Sequence, residues 1–216
     1  MYFHNRQHAG QELAKKLTQY KNMPDIIVLA LPRGGVVTGA ELAKALGCPL
    51  EVIICRKIGA PGNEEFAIGA ISEAGGKFMN PEILGWYHID KSYVEETVKR
   101  ENEKISRYQK EFRGGKPLPS PTNKTIIITD DGAATGMTIK AAIGALRSLK
   151  PKKIIIALPV APPDTAHELE QLGDETVILE TPPNFQAVGQ FYEDFRQIET
   201  EEVKALLLES QKQKPR

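Results

Sequence analysis

The chain has 216 residues, 41% hydrophobic and 26% charged, with Lys+Arg and Asp+Glu balanced at 28 each. That balance supplies no basic field for nucleic acid, and no apolar run approaches the ~20 residues of a membrane span, so neither partner is expected. The opening MYFHNRQHAG holds no apolar signal core, and two cysteines, Cys48 and Cys55, suit free thiols in a cytoplasmic protein.

Residues 8–20 carry Leu13, Leu17 and Tyr20 at helical spacing. DIIVLAL (25–31) is a continuous apolar run, as a strand covered on both faces of a parallel sheet requires. VVTGAELAKALG (36–47) reads as a helix stopped by Gly47 and Pro49, and LEVIIC (50–55) as the next strand. FAIGAISEAGGKFM (66–79) reads as a hairpin about Gly75–Gly76. Ser92 and Glu95 form a capping box for a long helix over 92–112, and RGGKPLPSPTN (113–123) is a loop. TIIITD (125–130) is a strand, 136–149 a helix, and KIIIALPV (153–160) a strand. Thr165 and Glu168 read as a second capping box for a helix to about 172, and TVILE (176–180) as the last core strand. An aromatic cluster, FQAVGQFYEDF (185–195), precedes an amphipathic helix at about 200–210.

Strands alternating with helices predict an α/β fold: a doubly wound, mostly parallel sheet of about five strands flanked by helices. Ligands of such sheets bind beyond the carboxyl ends of the strands. Three stretches fall there: PRGG (32–35), CRKIGAPGN (55–63) and DDGAATGMT (130–138). His4, His8, His88 and His167 show no partner pattern and read as surface or core residues; Trp86 reads as packing.

In DDGAATGMT a strand delivers Asp130 and Asp131, and a nearly bare loop then leads into a helix. Backbone N–H groups at a helix start attract anions, and the hydroxyls of Thr135 and Thr138 add donors, so the loop suits a phosphate monoester. Carboxylates repel phosphate but accept from hydroxyls, so the aspartates suit a diol. A phosphate at one end and a diol at the other describe a ribose 5-phosphate. An isolated Asp-Asp-Gly would read as a turn; the nine-residue pattern between strand and helix points further. No G-x-x-x-x-G-K-[ST] and no G-x-G-x-x-G occurs.

IIITDDGAATGMT resembles the signature of the type I phosphoribosyltransferases. LPRGGVVTGAELAKAL and RKIGAPGNEEFAIGAISEAG resemble the group called predicted phosphoribosyltransferases, some of which are fused to a hydrolase domain. With no G-x-S-x-G elbow, the stand-alone form is expected here. The resemblance implies one domain over 1–216: a core of about 8–58 and 120–182, a flap and helical excursion over about 59–119 forming a small hood, and a C-terminal segment, 183–216. It implies transfer of ribose 5-phosphate from 5-phosphoribosyl 1-pyrophosphate (PRPP) to a nitrogenous base or other acceptor, with Mg²⁺ and release of pyrophosphate, in nucleotide salvage. A PRPP- or nucleotide-binding regulator without turnover is the alternative.

By the same resemblance Asp130 and Asp131 hold the ribose hydroxyls and, through them or water, the metal. Ala134, Thr135, Gly136, Met137 and Thr138 hold the 5-phosphate, with Met137 in place of the common glycine. PRGG is the pyrophosphate loop, offering Arg33 and the bare backbone of Gly34 and Gly35, with a cis Pro32–Arg33 peptide. Arg56 and Lys57 help neutralise pyrophosphate, GAPGN (59–63) is a mobile flap, and Phe185 stacks on the base, with Glu193 and Asp194 near the metal. The 6-oxopurine enzymes carry a third acid three positions after the pair and a lysine after the next strand. Here stand Ala134 and ALPVAPP (157–163), which disfavours a 6-oxopurine acceptor. A homodimer is the family tendency.

Overall fold

The computed structural model describes residues 2–87 and 89–212, so the reading of His88 lies outside the described residues. In chain order the elements are α1 (Arg6–Lys16), β1 (Ile26–Ala30), α2 (Gly34–Leu46), β2 (Leu50–Val52), β3 (Cys55–Ala60), β4 (Asn63–Ser72), β5 (Lys77–Met79), α3 (Pro81–Trp86), α4 (Lys91–Arg113), β6 (Thr125–Thr129), α5 (Met137–Ser148), β7 (Lys153–Val160), α6 (Pro163–Glu170), β8 (Glu175–Glu180) and α7 (Thr200–Lys212). The chain divides into two compact units. The first comprises the described residues up to Val52, Ser120–Gly136 and those from Lys150 on; the second comprises Ile53–Pro119 and Met137–Leu149.

The first unit is built on a five-stranded parallel sheet in the order β2-β1-β6-β7-β8. β1 and β6 are buried along their whole length, which is why both read as unbroken apolar runs. The edge strand β8 is only half-buried. α1 and α2 pack together, and α7 packs on α2. Register pairs Val28 with Ile127 and Ala30 with Thr129, so β1 and β6 end level. Burying each isoleucine contributes roughly 1.5–3 kcal/mol. Ile126, Ile127 and Ile128, all fully buried, therefore anchor the strand end from which Asp130 emerges.

Strand order fixes where a ligand can enter. From β1 the chain moves outward to β2, and it later returns to place β6 on the other side of β1. The switch point of the sheet thus lies between β1 and β6, and the segments after these two strands flank it. Those segments are PRGG and DDGAATG.

The second unit carries an antiparallel sheet, β3-β4-β5, with α3, α4 and α5. Ala67, Ala70, Met137 and Ala141 form a small buried cluster there, with Phe78 and Ile83 against it. The expected strand 50–55 breaks after Val52, and Arg56 and Lys57 lie within β3 rather than beyond the end of a parallel strand. The expected flap at 59–63 is the tip of a hairpin: Gly59 and Ala60 end β3, Asn63 opens β4, and the Tyr93 hydroxyl donates to the Gly59 carbonyl at 3.0 Å.

Two helix starts also differ from expectation. Asp90, not Ser92, caps α4, accepting from the Ser92 N–H at 2.7 Å. α6 begins at Pro163, and the Thr165 hydroxyl instead donates to the Ala134 carbonyl at 2.7 Å. Trp86 does not pack: α3 buries none of its residues, and the indole is 75% exposed. His4 has a partner, its ring bonded to Glu193 at 2.7 Å. Cys48 and Cys55 form no disulfide, as expected, and burial pushes the Cys48 thiol up to about 12.

Candidate active site

β6 delivers Asp130 and Asp131 to the carboxyl edge of the parallel sheet, and β1 delivers PRGG beside them. The Pro32–Arg33 peptide is cis. α2 opens at Gly34, where the backbone lies directly against the acid pair. A Cβ on Gly34 would collide with the Asp131 carboxylate and lie 2.7 Å from Arg6 Nε; one on Gly35 would lie 2.7 Å from both Cα and Oδ1 of Asp130. Only bare backbone fits at these two positions.

Asp131 has a buried cation on it. Arg6, at the start of α1 and 7% exposed, donates from Nε to Asp131 Oδ2 at 2.6 Å. Its Nη1 donates to the Arg196 carbonyl at 2.8 Å, and its guanidinium lies 3.8 Å from the centre of the Phe195 ring. The Tyr192 hydroxyl donates to the Asp131 backbone carbonyl at 2.5 Å, and the Asp131 N–H donates to Asp130 Oδ1 at 2.8 Å. Burial pushes both carboxyls up. For Asp130 the neighbouring Asp131 charge adds to the rise, which is large; for Asp131 the Arg6 guanidinium works against it. Burial and the Asp131 charge also push the Tyr192 phenol up, so it stays protonated and donates.

The loop after the acids is tied to the first unit at two points. The Ala133 N–H donates to the Val160 carbonyl at 3.0 Å, and Thr165 holds the Ala134 carbonyl. Ala134 and Thr135 are exposed, whereas Gly136 is buried at φ 64, a left-handed conformation that glycine adopts without steric cost. Met137 and Thr138 open α5. The Met137 side chain fills the alanine-lined cluster of the second unit, which gives this departure from the common glycine a packing reason.

Arg33 is one-third exposed, with Nη1 3.8 Å from Glu199. In the second unit Arg56 Nε donates to Glu101 at 3.0 Å, and its guanidinium lies 5.8 Å from the Tyr108 ring centre; Lys57 is exposed. Phe185 stacks on Phe191 at 5.4 Å, against the cluster of Phe3, Ala9, Val160 and Tyr192. Glu193 and Asp194 are exposed, and their N–H groups donate to the Phe3 and His4 carbonyls at 2.9 Å. The structure thus gathers Arg33, Gly34, Gly35, Asp130 and Asp131 at one sheet edge.

Arg6 stands in no sequence motif; Tyr192 belongs to the aromatic cluster and is buried there, but its bond to the Asp131 carbonyl has no sequence signal. The one local signal for Arg6 is a cation in the first turn of a helix, where the dipole disfavours it.

Residues 2–196 match the family model described as Phosphoribosyl transferase domain. Two Mycobacterium tuberculosis proteins, from strains CDC 1551 / Oshkosh and ATCC 25618 / H37Rv and each named "Putative phosphoribosyl transferase", are 38% identical over 205 residues. That match takes in 95% of this chain and 46% of theirs, so the chain spans about half the length of these curated relatives. The crystal structure of TT1426 from Thermus thermophilus is 38% identical, with a TM-score of 0.81 over 97% of this chain and 99% of that one.

Proposed function

The chain belongs to the phosphoribosyl transferase domain family, and from that premise we propose that it transfers ribose 5-phosphate from PRPP to a nitrogenous base or another acceptor, releasing pyrophosphate, in nucleotide salvage or metabolism. One observation carries the reading: the acid pair and the glycine loop meet at the switch point of the sheet, backbone against carboxylate. A diol donating to the acids and a diphosphate against bare N–H groups use both features together.

Roles follow from charge. Asp130 and Asp131 accept from the ribose hydroxyls and lie near a sugar that turns cationic as the C1–pyrophosphate bond lengthens. Gly34 and Gly35 offer backbone, and Arg33 a cation, to the departing pyrophosphate. Arg56 and Lys57 are proposed for the same anion. The loop 134–138 takes the 5-phosphate, and Phe185 stacks on the acceptor base. Ala134 presents no carboxylate to a purine ring, which keeps 6-oxopurines disfavoured.

The donor set fits Mg²⁺ held indirectly. Arg6 already engages one oxygen of Asp131, so the pair suits contact through sugar hydroxyls or water rather than an all-protein cage. When bound, the ion would add positive charge at the diphosphate. A cytoplasmic location and a homodimer complete the proposal; among the described residues no helix is long and apolar enough to cross a membrane.

The test is pyrophosphate release from PRPP with Mg²⁺ across a panel of bases and amines. Turnover with one acceptor class is the expected result. Tight PRPP binding with no turnover on any acceptor would favour a regulator instead.

A further inference from the structure

Arg6 belongs to none of the motifs that carry the proposed function. It nonetheless lies in the first turn of α1, where the helix dipole disfavours a cation, and it is almost wholly buried. A residue kept against both local electrostatics and desolvation points to a role beyond its own helix.

Its contacts leave the guanidinium little freedom. The Phe195 ring covers one face at 3.8 Å, and Nη1 is fixed on the Arg196 carbonyl at 2.8 Å. Nε then meets Asp131 Oδ2 at 2.6 Å. The Gly34 backbone also fits so closely that an added Cβ would touch both Asp131 and Arg6. The Asp131 carbonyl is held separately by Tyr192 at 2.5 Å. Both the main chain and the side chain of Asp131 are thus fixed by residues far away in sequence.

We propose that Arg6 is a positioning residue for the donor site: by holding Oδ2, it fixes the plane of the Asp131 carboxylate and turns the other oxygen towards a ribose hydroxyl. This rests on the reading that the acid pair receives the ribose of PRPP. Arg6 acts through Asp131 and needs no contact with the donor. A lysine keeps the charge but loses the rigid planar fork that bonds Asp131 and Arg196 at once.

Arg6 also lines a cavity of about 270 Å³, together with Asn5, Gln7, Val37, Ile198 and Leu206. Truncation to alanine enlarges that space, so guanidinium from solution has room to occupy the vacated place. This permits a rescue experiment.

PRPP affinity in the presence of Mg²⁺ is measured by calorimetry for wild type, Arg6→Ala, Arg6→Lys and Arg6→Gln, with thermal unfolding of each alongside. Arg6→Ala should bind PRPP about tenfold or more weakly, the scale of one lost charged hydrogen bond. Arg6→Lys should recover only part of that loss, and guanidinium added to Arg6→Ala should restore affinity in a saturable way. If Arg6→Ala does not fold, Arg6→Gln carries the comparison, with the same weakening expected. Affinity within twofold of wild type in Arg6→Ala or Arg6→Gln would overturn the assignment. So would a loss that guanidinium does not repair and that tracks the fall in unfolding temperature. Failure of wild type itself to bind PRPP would overturn the reading of the site and the role of Arg6 with it.

Discussion

In the second unit the side chains of Glu73 and Glu101 are buried, and each meets at least one cation. Glu73 pairs with Arg113 and also accepts from Gln109 at 2.9 Å and the Ile54 N–H at 2.8 Å. Glu101 receives Arg56 at 3.0 Å and Lys104 at 2.6 Å. In the first unit Asp130 and Asp131 stand side by side, with Arg6 bonded to Asp131. The consequence appears in their acidity. Burial pulls Glu101 up, but the bonds from Lys104 and Arg56 outweigh it and hold the carboxyl below its ordinary range. Asp130 rises instead, because burial and its neighbour's charge both push it up while Arg6 engages the other acid. Carboxylates that serve a fold are neutralised where they are buried. A pair left short of positive charge is what a site looks like when a ligand is to supply the missing partners.

The contrast can be broken at four points. Replacing both aspartates, Asp130→Asn with Asp131→Asn, should lower PRPP-dependent pyrophosphate release by about 10³-fold while the protein stays folded, as loss of charge stabilisation in a catalytic site does. Circular dichroism and a release assay check the two halves of that statement. Glu73→Ala should act in the opposite sense. It leaves Arg113 buried without its ion-pair partner, and Arg113 Nε and Nη1 already lack partners among the described residues, so unfolding in urea should show a loss of about 3–5 kcal/mol.

Glu101→Gln should cost less, roughly 1.5–3 kcal/mol near neutral pH. The folded carboxyl lies below its ordinary 4.5, so its stabilisation is present above that value and is lost as pH falls through the lowered one. Melting curves of wild type and variant should therefore separate above pH 4.5 and converge as pH falls through the lowered value. The smallest change expected is a gain. Asp130 lies above its ordinary 3.8, so its contribution to stability is full below 3.8 and disappears as pH rises through the raised value. At neutral pH the single change Asp130→Asn should raise the melting temperature by about 2–4 °C per kcal/mol regained, even as donor use falls. A drop in melting temperature would place Asp130 with the structural carboxylates.

The same contrast explains what the sequence made legible. β1, β6 and β7 announce themselves because parallel strands covered on both faces are apolar throughout, and β7 matches KIIIALPV residue for residue. The acid pair and PRGG are local words, readable where they stand. What escaped was tertiary. Arg6 meets Asp131 across 125 positions, and no spacing rule reaches that far. Thr165 looked like a helix cap, but its hydroxyl found a better acceptor at Ala134. Ser92 looked like a cap too, but Asp90 is better placed for the free N–H groups of α4. Arg56 and Lys57 follow an apolar run and so read as lying beyond a strand end, whereas pairing with β4 makes them part of a strand.

Asp130 and Asp131 are proposed to receive the two ribose hydroxyls of the donor. A crystal structure with PRPP and Mg²⁺ bound tests this most directly. Both hydroxyl oxygens should lie within about 2.5–3.2 Å of the two carboxylates, with the 5-phosphate against 134–138. Density with the ribose turned away from the acid pair, or the 5-phosphate seated elsewhere, would contradict it.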